Sequence, residues 1–136
     1  MAGEFQFKVK RTVTGFGMTN GNTEQTVMCD GGTPLKKTIP ANTANAHFVC
    51  PIDIATTKVI SFETNKDCHI YCNAASGDTP DQDLTMLAGV AKSWVDGDDE
   101  AIFLNQTLTD IYVTTGSDAV NLSIIEGHDA TPALGE

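Results

Sequence analysis

The sequence predicts an all-β chain, an antiparallel β-sandwich or barrel, on three observations. Apolar residues alternate with polar ones in short runs, Gly, Asn and Asp clusters separate those runs, and no amphipathic helical stripe exceeds two turns. Thr is frequent inside the runs, where a branched side chain fits a half-buried pleated surface. Many short strands between such turns are the mark of a sandwich or barrel.

Taken in order, Phe5 to Val13 alternates strictly, with Phe5, Phe7 and Val9 on one face and Gln6, Lys8 and Lys10 on the other. It reads as a strand or an extended arm. Gly15 to Asn22 is rich in glycine and asparagine and reads as a loop. Gln25 to Cys29 is a short strand, broken by Asp30-Gly31-Gly32. Lys36 to Thr43 leads into a strand from Ala44, with Ala46, Phe48 and Cys50 facing in, Asn45, His47 and Val49 facing out, and Pro51 ending it or marking an edge. Lys58 to Asn73 reads as a hairpin around Asn65-Lys66-Asp67, pairing Thr64 with Cys68, Phe62 with Ile70 and Ile60 with Cys72.

Ala74 to Asp83 is a polar, acidic loop. Leu84 to Val95 holds short strands around Gly89, and Trp94 is the single tryptophan. After the acidic turn Asp96 to Glu100, Ala101 to Asn105 reads as a buried strand. Leu108 to Ile125 carries the strongest pattern. Closing a two-residue turn at Gly116-Ser117 sets Val113 against Val120, Ile111 against Leu122 and Thr109 against Ile124. Every large apolar group then shares one face, while Tyr112, Thr114, Asn121 and Ser123 share the other. Gly127 to Glu136 reads as a tail. One core is expected to hold Ile111, Val113, Val120, Leu122, Ile124, Phe62, Ile70 and Phe48. One structural unit of two segments is expected: an N-terminal strand or arm with its Gly/Asn-rich loop over 1–30, and a sandwich domain over 31–136.

The formal net charge is −10 and unevenly placed. Residues 1–60 hold six Lys/Arg and four Asp/Glu, a balance of +2; residues 61–136 hold two and fourteen, a balance of −12. A nucleic-acid binder needs a basic face to displace counterions, so that class is not expected. The N-terminal run alternates and lacks the apolar stretch of a signal peptide, and no run has the length of a membrane-spanning helix. Synthesis and folding in a cytoplasm, without a membrane partner, are expected.

Cys68 and Cys72, on one face of one strand, stand about 13 Å apart at roughly 3.3 Å per residue, too far to share a disulfide or a zinc ion. The four cysteines are expected to be buried thiols, with Cys50 paired to Cys68 or Cys72 as the alternative. His47 and His69 fall on outward faces and His128 in the tail, and no local motif supplies a catalytic partner. Asp96, Asp98 and Glu100 alternate like the opening of a calcium loop, but Ala101 stands where the loop needs its glycine. Asp78, Asp81 and Asp83 are similarly incomplete. No catalytic residue, cofactor site or metal site is therefore assigned.

Several segments together carry a resemblance: Thr38-Ile39-Pro40-Ala41-Asn42-Thr43 with Asn45, the strand–loop–strand from Ile60 to Asn73, Leu84, Leu87, Gly89 and Trp94, Asp110 to Thr114, and Asp129-Ala130-Thr131-Pro132. Over roughly Thr38 to Pro132 the chain resembles the small decoration, or cement, proteins of tailed-bacteriophage capsids. The resemblance implies a jelly-roll-like sandwich, a homotrimer, a non-enzymatic role on the outer surface of a capsid, and the major capsid protein as partner. It implies a place in the virion after synthesis in a bacterial host. Two other classes compete. A carbohydrate- or receptor-binding module needs grouped exposed aromatics, for which Trp94, Tyr71 and Tyr112 are the candidates. A cupin-like enzyme needs inward His and Glu ligands.

The candidate partner interface is the first strand. Phe5, Phe7 and Val9 form an apolar row that nothing nearby in sequence covers, opposite Lys8 and Lys10 with Arg11 beside them. Such a strand either completes the sandwich edge or adds to another subunit or to the shell.

Overall fold

The computed structural model describes residues 5–21 and 23–129. Twelve strands are formed, and no helix, among the described residues: β1 (Phe5–Val9), β2 (Val13–Gly15), β3 (Met18–Asn20), β4 (Gln25–Cys29), β5 (Gly31–Ile39), β6 (Ala46–Ile52), β7 (Thr57–Thr64), β8 (Cys68–Cys72), β9 (Gln82–Met86), β10 (Lys92–Val95), β11 (Leu108–Thr115) and β12 (Val120–His128). Two four-stranded antiparallel sheets, in the orders β10-β7-β12-β5 and β6-β11-β8-β9, pack face to face as a β-sandwich. Of the consecutive strands from β5 onward, only β8 and β9 pair with each other; every other connection crosses between the sheets. That winding of eight strands is the jelly-roll arrangement.

Both predicted hairpins are corrected by this winding. β11 pairs with β6 and β8, with Ile111 opposite Phe48 and Cys72, whereas β12 pairs with β5 and β7. β7 pairs with β10 and β12, and β8 with β11 and β9. Alternation determines which side chains point inward, but it is the same for two strands side by side as for two strands facing each other across a core. The expected faces accordingly hold while the pairings do not. Ile111, Val113, Val120, Leu122, Ile124, Phe62 and Ile70 are buried in one cluster, and Phe48 packs against it half-buried. The tips bond to segments distant in sequence: Asn42 N–H donates to the Gly116 carbonyl at 2.7 Å, and Asn121 N–H, at the start of β12, to Asn65 Oδ1 at 2.7 Å. A bulge between Leu108 and Asp110 turns Leu108 into the core and leaves Thr109 exposed.

Four smaller expectations also change. Asp30 alone breaks the chain, and Gly31-Gly32 open the nine-residue β5. Residues 15–21, expected as a loop, form most of the β2–β3 hairpin. Ala101 to Asn105 is not a strand, though Leu104 is buried and Ile102 and Phe103 pack against the core. The expected tail begins inside β12, whose last residue is His128; its part beyond Asp129 lies outside the described residues.

The N-terminal segment makes a second layer. β1 pairs with β4, Phe5 opposite Cys29 and Val9 opposite Gln25. This ribbon lies on the outer face of the β10-β7-β12-β5 sheet. Phe7, Val9 and Val27 pack there on buried Cys29, Val59 and Val95. Glycine makes the approach possible, because a Cβ on Gly127 would stand 2.5 Å from Phe7 and 2.8 Å from the Cys29 sulfur.

Candidate partner interface

The predicted interface residues divide into those the chain covers itself and those it leaves outward. Phe7 and Val9 are half-buried against their own sheet, so the apolar row is partly covered after all. The strand does not complete the sandwich edge: paired with β4, it lies across an outer face. Phe5 remains 53% exposed, beside Pro34 and Ile125. Lys8 lies 3.8 Å from Glu24 with both side chains about half exposed, an arrangement worth roughly 0–1 kcal/mol. Lys10 is exposed and makes no ion pair among the described residues.

Arg11 is the anchor. Its two terminal nitrogens donate to both Asp98 oxygens at 2.9 Å, a bidentate fork beyond the end of β10. Asp98 also accepts the Val95 N–H at 2.9 Å. The Arg11 guanidinium, followed by that amide, holds the Asp98 carboxyl below its ordinary value, and the same bond raises Arg11. Between the arm and the outer sheet face runs a groove of about 840 Å³, with Val90, Trp94 and Ile125 among its apolar walls and Lys8, Lys10 and Arg11 along it.

Beyond Arg11 the β2–β3 hairpin projects as a finger, exposed at every residue. Phe16 and Gly17 form its turn with φ of 52° and 74°, the handedness that suits a two-residue hairpin turn. For glycine this costs nothing; for Phe16 it costs roughly 1–2 kcal/mol. Phe16 is fully exposed at the tip, and Val13 and Met18 on the flanks are 73% and 62% exposed. These three were missed in the sequence. The available signal was an aromatic residue held between two glycines in Gly15-Phe16-Gly17.

The opposite outer face, on β6-β11-β8-β9, has a different character. Tyr112 stands across from both His47 and Tyr71. His47 stacks on Tyr112 with centroids 4.6 Å apart and rings 13° from parallel, and His69 stacks on Tyr71 at 6.0 Å. Each histidine also meets a carboxylate: His47 Nε2 lies 2.7 Å from Asp110 and His69 Nδ1 lies 3.0 Å from Asp83. The His47 bond, with a second from Thr109, holds the Asp110 carboxyl below its usual value. None of these four strands contains Lys or Arg. Trp94, the other aromatic candidate, is half-buried against the core and donates Nε1–H to the Glu100 carbonyl at 2.8 Å.

His128 lies in β12 rather than in a tail, with Nδ1 2.8 Å from buried Glu126, whose other oxygen accepts the Thr57 hydroxyl at 2.7 Å. All four cysteines are buried and free. Burial pushes Cys50 up to about 12 and Cys29 and Cys72 up to about 11, so each is a neutral thiol at pH 7 and behaves as a small apolar group. In the acidic turns, Asp96 reaches Lys58 at 3.2 Å, Asp98 holds Arg11, and Asp81 accepts from Asn73 at 2.8 Å. Among the described residues, no three His, Cys, Asp or Glu side chains gather where a metal ion would sit.

No protein-family model, curated protein or solved structure matches the chain.

Proposed function

We propose that this chain is a non-enzymatic structural protein of a tailed-bacteriophage virion, made in the host cytoplasm, that binds the outer capsid surface and stabilises it as a homotrimer. The observation that supports this reading is polarity. A jelly-roll sandwich carries one basic and apolar attachment element, residues 5–21 with three Lys/Arg and no Asp/Glu, on a body that is otherwise strongly acidic. Such a protein docks by one side and presents a repelling, soluble surface elsewhere. The major capsid protein is the partner on this reading, and neither nucleic acid nor membrane takes part.

The test is to add the purified protein to capsids stripped of their outer proteins and follow sedimentation of the particles. Wild type is expected to co-sediment and to raise the particles' disruption temperature. A chain lacking residues 1–11 is expected to stay folded and to stay in the supernatant. A truncated chain that still coats the particles would remove the arm's role, and wild type that never coats them would remove the reading.

A specific observation favours a second reading, a carbohydrate- or receptor-binding module. Tyr71 and Tyr112 lie side by side and Asp83 and Asp110 flank them, a set suited to sugar rings and hydroxyls. Glycan-array binding abolished by Tyr112→Ala would favour it.

A further inference from the structure

The root of the finger carries a reactive dipeptide, and we propose that Asn20 is a self-modifying site. In the folded protein its carboxamide is lost to attack by the backbone nitrogen of Gly21, and an aspartyl or isoaspartyl residue takes its place. The chemistry requires no partner beyond water and so does not rest on the capsid reading.

The backbone requires the glycine. Gly21 has φ of 80°, a left-handed position, and a Cβ there would collide with the Arg11 carbonyl. The residue that closes the finger's root is thus the one that hinders its own nitrogen least. Asn20-Gly21 is the single Asn-Gly pair in the chain.

The other asparagines are held. Asn45, Asn65, Asn73, Asn105 and Asn121 each engage the side-chain amide in a hydrogen bond, as where Asn121 Oδ1 accepts the Thr38 hydroxyl at 2.9 Å. Beside Asn42, the nitrogen that would attack is occupied, because Thr43 N–H donates to Thr115 Oγ1 at 3.0 Å. Asn20 is exposed, and among the described residues neither its amide nor the Gly21 N–H has a hydrogen-bond partner. An extended backbone keeps the Gly21 nitrogen away from the Asn20 carboxamide, so the strand must open before they meet. Opening is cheap here: β2 and β3 have three residues each, all exposed, and none belongs to either apolar cluster.

In the reaction the Gly21 nitrogen attacks Asn20 Cγ and gives up its proton. The Cγ–Nδ2 bond breaks, ammonia leaves, and a cyclic imide remains. Water then adds to either imide carbonyl, and the bond from that carbonyl to the nitrogen breaks. Opening at the side-chain carbonyl leaves aspartate; opening at the main-chain carbonyl leaves isoaspartate, whose main chain runs through the former side chain. Either product puts a negative charge into residues 5–21, where only Lys8, Lys10 and Arg11 are charged. Isoaspartate also lengthens the main chain between the Val13–Asn20 pair and the Gly21 carbonyl, which accepts the Thr12 hydroxyl at 3.1 Å. The finger of an aged molecule thus differs in charge and in shape from that of a fresh one.

Peptide mapping by mass spectrometry tests this on the full chain, aged at mildly alkaline pH either folded or unfolded in guanidinium. Folded Asn20 is expected to react within about tenfold of its unfolded rate, as local opening that costs less than about 1.4 kcal/mol allows. It is expected to yield more product than all the other asparagines of the folded chain together. Isoaspartyl methyltransferase is expected to label aged wild type and to leave aged Asn20→Ser unlabelled, at an unchanged melting temperature. Folding that slows Asn20 by more than about tenfold overturns the proposal. Product spread evenly over the asparagines overturns it too, as does label that persists in Asn20→Ser.

Discussion

The β10-β7-β12-β5 sheet is covered on both faces, and its two covers differ in kind. Inside, the two sheets and the loop residue Leu104 together bury seventeen apolar residues in one cluster, Phe62, Ile111 and Leu122 among them. Outside, the β1–β4 ribbon closes over Val59 and Val95 and buries its own Cys29, with Phe7, Val9 and Val27 only half withdrawn from water. The inner cover is secured many times over, so no single contact decides it. The outer one rests on one aromatic residue seated over glycines and on one ion pair at its end. Local opening free energy follows such differences in buried apolar surface, so the ribbon and finger form the more readily released part of the molecule. An element that must engage a partner is drawn from that end of the scale.

Substitutions that touch one cover and not the other sharpen the contrast. The largest effect is expected inside: Leu122→Ala, at a site 1% exposed, should cost about 2–5 kcal/mol in a denaturant melt, and a loss below about half a kcal/mol would break the core assignment. Phe7→Ala should cost the ribbon on the order of 1–2 kcal/mol, given its half burial. It should appear as faster amide exchange in β1 and β4, with β11 and β12 unchanged; equal acceleration of all four strands would merge the two covers into one unit.

The Arg11–Asp98 pair is expected to contribute less than about 1 kcal/mol, because both side chains are partly exposed. Its sign follows from the lowered Asp98 carboxyl. The folded ribbon favours the ionised form, so the contribution is complete above the ordinary value of 3.8 and fades as pH falls through the depressed one. The protection of β1 amides, taken relative to their intrinsic exchange rate at each pH, should fall on acidification below about pH 4, and Asp98→Asn should abolish that fall. The smallest expected effect is zero: EDTA at neutral pH should leave the melting temperature in place. A fall of many degrees reversed by calcium would reassign Asp96 and Asp98 from Lys58 and Arg11 to an ion.

How much of this was legible in the sequence follows from what alternation encodes. It carried the faces, and with them every member of the expected core, because burial repeats every second residue whichever strand lies alongside. It could not carry the partner. The Gly116-Ser117 and Asn65-Lys66-Asp67 tips look like hairpin turns, yet each spans the gap between sheets and bonds to residues far away in sequence, Asn42 and Asn121. The reach of β12 to His128 was hidden by Glu126, a charged residue at an inward position, tolerated because Thr57 and His128 bond both its oxygens. In the candidate site, the alternation of Phe5, Phe7 and Val9 was readable and its covering was not. Gly127, whose missing side chain admits Phe7, stands 120 residues away from it.

That distance also orders the events of assembly. β12 lies between β7 and β5, so neither can complete its pairing until β12 has been made, and Phe7 cannot seat until Gly127 is beneath it. The ribbon, made well before β12, is thus among the last parts to settle. While the chain is growing, the basic, apolar segment from Phe5 to Gly21 stays open to chaperones and to other nascent copies, and strand pairings so distant in sequence close slowly. Neighbouring chains on one message would meet through these segments before any of them had finished its sandwich.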